Sequence, residues 1–424
     1  MKKEIDNNIF VTRTLNVLMI IMCLKTLGYF TLSENVAITR VLKVIIRVSM
    51  TFWVVQVNKK IMARGFIPSF HKEHTLGPFF YGVYLLLGYA SLLWSTNPGY
   101  SLLQLVMNIE SFYFTWIFMK AFVLFRMSYP SHQIRFSRIM APGVFIILLG
   151  FVIGMYVNPD QFYRLTHGGE VARLGGYLMN PNELGMLAVV GIGSGCVELM
   201  YRNKKGLYVF MILVMLFALV KTGSRSSMIG FLLVVFYFIN KSNQAKLKIA
   251  VYVGAFLSIP VIVQTIFIKQ GDLEEVMSMT GRLPFWTALL TEGLPKEPWF
   301  GFGYMRIAYT EAFQSVHTYA GKMTHNTFIQ VLMNLGFIGF AVVLLQMTFT
   351  LRALYKSKDI DDKAFFVGMF IPILINSFTE FGIFGETNYG ILFYQILIWL
   401  FVFRYNDKLN IKEKISLKVS KKKW

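Results

Sequence analysis

With two cysteines in 424 residues, the chain has no disulfide framework to hold it together. Cys23 and Cys196 both lie inside apolar runs, where a thiol behaves as an inert hydrophobe, so no thiolate metal site is implied either. Acidic side chains are scarce, 22 against 42 Lys and Arg. The one acidic run, Asp359 to Asp362, falls in a short basic turn without strand context, which argues against a metal–nucleotide site. Low-complexity linkers and internal repeats are missing as well, so nothing divides the chain into separate domains. Charged residues make up only 15% of the sequence and hydrophobic ones 55%. A soluble core cannot hide that much apolar surface.

Apolar runs of roughly 18 residues or more recur along the whole length, each enough to cross a bilayer of about 30 Å. The pattern predicts an all-α, polytopic membrane helical bundle of about twelve helices. They fall near 11–29, 36–57, 76–94, 101–124, 139–157, 177–199, 206–221, 226–240, 248–268, 327–350, 364–383 and 388–404. The net charge of +20 would point to nucleic acid in a soluble protein. Here every second loop is basic, which is the positive-inside pattern and needs no nucleic-acid partner. It predicts cytoplasmic termini, a retained first helix, and a basic cytoplasmic tail over 405–424. The second helix stands out for a basic stripe, Arg40, Lys43 and Arg47, expected to face protein or lipid phosphate. Glu110 and Lys120 are further charges within the fourth helix, with no assigned role.

The whole chain, 1–424, reads as one transmembrane domain with a single long extracytoplasmic loop, 269–325, between the ninth and tenth helices. Its segments GRLPFWTALL and EPWFGFGY are aromatic and Gly-punctuated, which predicts a folded cap. Most of that loop's aromatics, among them Phe285, Trp286, Trp299, Phe300, Phe302 and Tyr304, are expected to pack the cap. GFGY itself lacks the strand and helix that a dinucleotide loop needs.

The outer side carries Arg164, Arg173, Lys221, Arg225, Lys269, Arg282, Lys296, Arg306 and Lys322, against the positive-inside tendency. Lys269, Lys296 and Lys322 are readily explained by snorkelling or surface pairing. Arg225, in the Gly/Ser break VKTGSRSSMIGF, sits at the membrane boundary, where a guanidinium is costly unless it meets an anion. Its planar fork suits phosphate oxygens. Arg282, a cation amid aromatics, has the same character. His325 stands where the long loop enters the tenth helix, with Thr324 or Asn326 placed to cap it. It is a candidate proton acceptor beside two candidate anion-binding arginines. Of the other histidines, His71, His74 and His132 fall in cytoplasmic loops and are expected to be solvated. His167 and His317 lie outside without a partner at metal-ligand spacing, so no metal is expected.

LLWSTNP at 92–98, RLGGYLMNPNELG at 173–185, TGSRSSMIG at 222–230, GRLPFW with PWFGFGY, and HNTFIQVLMNLGFIG follow one another in this order. Together, with SFTEFGIFGETNYG at 377–390 as a looser match, they resemble the O-antigen ligase and O-antigen polymerase superfamily of bacterial membrane glycosyltransferases. That resemblance implies glycan transfer, without a cofactor, from an undecaprenyl-pyrophosphate-linked oligosaccharide to an acceptor glycan hydroxyl outside the cytoplasmic membrane. It implies that Arg225 and Arg282, with Arg173, hold the donor pyrophosphate and that His325 is the base. Asn180, Asn182, Asn326 and Trp286 are expected to support them, and a flippase and a chain-length regulator are the expected partners. Polymerisation of repeat units of a surface polysaccharide is the favoured activity, and ligation of finished glycan to another acceptor is the alternative. A small-anion transporter is a second alternative, but it would place its charges on broken helices near the midplane.

Overall fold

The computed structural model describes residues 2–63, 68–166, 171–200, 205–242, 245–262, 282–304, 324–380 and 382–405. The first five helices are α1 Lys2–Leu27, α2 Val36–Met62, α3 Leu76–Ala90, α4 Pro98–Ser128 and α5 Ser137–Val157. A single turn, α6 Pro159–Phe162, leads into a hairpin of β2 Tyr163–Thr166 and β3 Val171–Leu174. Then come α7 Pro181–Leu199, α8 Lys205–Thr222, α9 Arg225–Lys241 and α10 Ala245–Ile262. A short α11 Arg282–Ala288 precedes α12 Thr327–Lys356, α13 Ile360–Ser377 and α14 Tyr389–Leu400. Two short strands, β1 Pro68–Phe70 and β4 Phe403–Tyr405, pair antiparallel beyond α14. Leaving out α6 and α11, the described residues contain a helix at each of the twelve expected places.

Among the described residues, seven helices are long and apolar enough to cross a bilayer by length and composition. The others gain their place by packing, as α14 shows. Its 12 residues span only about 18 Å. Nearly all are buried in protein, so the lipid thickness does not set its length. The chain is a multi-pass membrane protein. Helix α7 is its axis, buried along most of its length and packed on α5, α8, α9 and α13. A Cβ on its Gly193 would run into the Gly368 backbone, so α7 and α13 cross at main-chain contact.

Several charges inside the bundle are paired. Arg47 of the α2 stripe turns inward, donating to the Met107 carbonyl at 2.6 Å and to Glu110 at 3.3 Å. Lys25 pairs with the same carboxylate and donates to the Arg47 carbonyl at 3.1 Å. Glu110 is thus the shared counter-ion of α1 and α2. Toward the other end of the bundle, Arg126 reaches Asp362 at 2.8 Å, and Arg135 forks onto Glu198 at 2.9 and 2.8 Å. The acidic run is therefore structural: Asp359 caps α13 and Asp362 holds Arg126.

Helix α12 breaks at Gly336, whose φ of 61° is left-handed. The segment PWFGFGY fills that break with its backbone. Phe302 and Gly303 N–H groups donate to the Met333 and Asn334 carbonyls, each at 2.9 Å, and Phe337 N–H donates to the Pro298 carbonyl at 2.8 Å. Tyr304 then enters the core and accepts from Asn108 at 2.6 Å. A Cβ at position 336 would meet the Trp299 backbone. Gly336→Ala is expected to destabilise the protein by about 2–4 kcal/mol through left-handed strain and overpacking. A thermal unfolding midpoint in detergent equal to wild type would contradict that seam.

Candidate active site

Three helices begin at one place. Asn180 caps α7, Ser224 caps α9 and Asn326 caps α12, each accepting from backbone N–H groups of its first turn. Pro181 stands at the first position of α7, where its missing N–H costs nothing. The starts of α7 and α9 touch, since the Ser227 hydroxyl donates to the Asn182 carbonyl at 3.2 Å. The start of α12 reaches the same neighbourhood through His325 and Asn326. Three helix N-termini put partial positive charge on one spot.

At that spot lies Glu380, in the loop after α13, with its side chain 4% exposed. One carboxylate oxygen accepts from Asn182 Nδ2 at 2.7 Å and from Arg282 Nη2 at 3.0 Å. The other is 2.7 Å from His325 Nδ1. Burial alone would push this carboxyl up. The hydrogen bond and charge of His325, together with Arg282 and Asn182, hold it down to about 2 instead. Glu380 is therefore a permanent anion between a histidine and an arginine.

His325 has a left-handed φ of 53°, uncommon for a residue with a side chain. Asn326, not Thr324, caps α12, while the Thr324 hydroxyl donates back to the Asn326 carbonyl at 2.8 Å. On α11, Arg282 and Trp286 lie one turn apart and so share a face. Arg282 also donates to the Thr379 carbonyl, and Trp286 Nε1 donates to the Thr324 carbonyl at 2.6 Å. Phe285 and Leu289 anchor the helix against Met333. Arg282 is thus not the lone cation expected from its aromatic neighbours. It is docked on the residue next to its own counter-ion.

Arg173, on β3, donates to Asn182 Oδ1 at 2.6 Å and to the Thr222 carbonyl at 2.7 Å. Burial pushes its guanidinium down, Glu380 draws it back up, and the charges of Arg225, Arg164 and Arg282 lower it again, to about 10. Those mutual effects place four arginines in one electrostatic neighbourhood. Arg225 is half-buried at the first position of α9. Asn180, which also accepts from Asn182 N–H at 2.9 Å, orients the residue that joins Arg173 to Glu380.

The structure therefore gathers Arg173, Arg282, His325, Asn180, Asn182, Asn326 and Trp286 around one carboxylate, with Arg225 close by. Lys269, Arg306, Lys322, His167 and His317 lie outside the described residues, as do 406–424 of the tail and 269–281 and 305–323 of the long loop. Of the cap aromatics, Phe285 and Tyr304 are buried, while Trp299 is 62% and Phe300 52% exposed. Glu380 itself escaped the sequence reading. Its one signal was a carboxylate in the loosely matching segment SFTEFG.

Residues 210–344 match the family model described as O-antigen ligase. The match takes in Arg225, Arg282, His325 and the broken helix α12, the segments that build the site. That match supports membership of the O-antigen ligase superfamily. Arg173, Asn182 and Glu380 of the candidate site lie outside the matched stretch, on its two flanks. No curated protein matches the chain. Membership supports a membrane glycosyltransferase of the ligase or polymerase type in general.

Proposed function

We propose that the chain polymerises lipid-linked repeat units of a surface polysaccharide at the extracytoplasmic face, with both termini in the cytoplasm. The observation that carries this reading is the Glu380 carboxylate bridging His325 and Arg282 where three helix N-termini meet. An undecaprenyl-pyrophosphate donor would place its phosphates against Arg225, Arg282 and Arg173, and the helix ends add to the positive field. The bond from the anomeric carbon to the pyrophosphate oxygen breaks, and its electron pair leaves on the pyrophosphate. The arginines stabilise that charge as it grows. The acceptor hydroxyl oxygen forms the new bond to the anomeric carbon. Its proton passes to His325 Nε2, because Glu380 holds the ring through Nδ1 and fixes the tautomer.

Purified protein incubated with a lipid-linked oligosaccharide and resolved on a gel tests the assignment. A ladder of products is expected. A single shifted band would make the protein a ligase, and no product would overturn glycosyl transfer. Arg282→Ala is expected to lower transfer about 10²–10³-fold, the cost of losing one preorganised charge partner. Arg282→Lys keeps the charge but loses the fork, and should recover only part of the rate. Wild-type turnover in the Ala variant would remove Arg282 from the donor site.

A further inference from the structure

Beside the arginine site, a cavity of about 660 Å³ opens between α2, α4 and the start of α7. Arg40, Lys43, Arg47 and Arg164 line it. The carboxylates Glu183 and Glu386 do too, and with Arg47 already paired to Glu110 the excess of positive charge rests on Arg40, Lys43 and Arg164. Arg40, Lys43 and Arg47 recur at helical spacing, so the cations descend about 10 Å along α2. Arg40 is exposed and Lys43 half-buried. Arg47 is 3% exposed, and its Nε has no hydrogen-bond partner among the described residues.

Two further features say what kind of anion fits. Val44, Leu103 and Met107 also line the cavity, so apolar side chains are interleaved with the charges. On the helices flanking it, Val41, Ile45 and Val48 of α2 and Leu102, Val106 and Ile109 of α4 are exposed apolar side chains. In a membrane protein such a face meets acyl chains. A cationic pocket beside a lipid-facing apolar wall suits a phosphate carried on a lipid tail. A soluble anion would gain nothing from that wall. The cavity also borders the reaction site, since Asn180 and Glu183 line it and the intervening Asn182 holds Glu380.

Resting on the polymerase reading, we propose that this cavity binds the phosphate of a second lipid-linked glycan, the acceptor, while Arg173, Arg225 and Arg282 hold that of the donor. Two separate cationic sites, one on each side of Asn182, then match a reaction between two substrates of the same chemical class. Arg40 and Lys43 of the α2 stripe become the acceptor's anchor.

The test is native mass spectrometry of the full chain in detergent with undecaprenyl pyrophosphate carrying no sugar. Two bound lipids per protein are expected for wild type and one for Arg40→Gln/Lys43→Gln. Arg40→Lys/Lys43→Arg should restore the second. Because both side chains are at least partly exposed, the Gln pair should unfold at the wild-type temperature, which checks that the fold is intact. An unchanged stoichiometry of two in the Gln pair overturns the proposal. So does displacement of the second lipid by phosphatidylglycerol at equal concentration, which would mark a bulk-lipid site. Displacement by inorganic pyrophosphate at equal concentration would remove the lipid requirement and overturn it as well. The binding count does not depend on turnover. An inactive protein that still binds two lipids would sink the polymerase reading and leave the second site standing.

Discussion

Glu380→Gln is expected to lower glycosyl transfer about 10³-fold while leaving the protein folded. Gln can still accept from Arg282 and Asn182 through its carbonyl oxygen, so the two contacts on that side persist. On the other side its NH₂ would face His325 Nδ1, 2.7 Å from the present oxygen. The ring must then accept at Nδ1 and carry its proton on Nε2, the wrong tautomer for a base. Glu380→Ala should do more damage to stability. It leaves Arg282, 16% exposed, without its counter-ion, and stranding one partner of a buried pair costs about 3–5 kcal/mol. Because the carboxylate is held down to about 2, its contribution to folding is present above the usual glutamate range and lost only as pH falls toward 2. Ordinary assay pH does not titrate it. Initial rates with a lipid-linked substrate, together with unfolding midpoints, distinguish the two variants. A Gln variant within threefold of wild type would show that Glu380 does not set the tautomer.

His325→Asn should cost about 10²–10⁴-fold in rate, the usual worth of a positioned base. Asn is the informative replacement because it tolerates the left-handed backbone at φ 53° better than most residues. Asn326, not His325, caps α12, so the helix start survives the exchange. Donor binding should be nearly unchanged, placing the loss in kcat. Combined with Glu380→Gln, the loss should fall well short of the product of the two, since both changes disable the same proton transfer. Multiplicative losses in the double variant would mean that the two residues act separately.

Much of this architecture was legible in the order of residues, and the failures have physical reasons. Apolar length located all twelve helices because a bilayer allows few alternatives. The ends were less well placed. The helix expected over 364–383 stops at Ser377, and that early stop is what puts Glu380 into the site loop. Helix α14 was expected to reach 404 but ends at Leu400, because the chain turns into β4 to pair with β1. Arg225, Arg282 and His325 were recognisable because a cation or a lone imidazole at a membrane boundary demands a partner. The partner was not, because a single glutamate in an aromatic loop looks like any exposed acid until α7, α11 and α12 are brought around it. The α2 stripe shows the same limit. Periodicity aligned Arg40, Lys43 and Arg47 on one face, but only the packing turned Arg47 inward toward Glu110.

The seam between PWFGFGY and the break in α12 has one more implication. It is made largely of main-chain hydrogen bonds and three positive-φ glycines, Gly301, Gly303 and Gly336. The distance between the loop that carries Arg282 and the helix that carries His325 is therefore set by backbone, with little dependence on which side chains the loop bears. Trp299 and Phe300 are more than half exposed at this seam. Side chains exposed there can be exchanged while Arg282 and His325 keep their spacing.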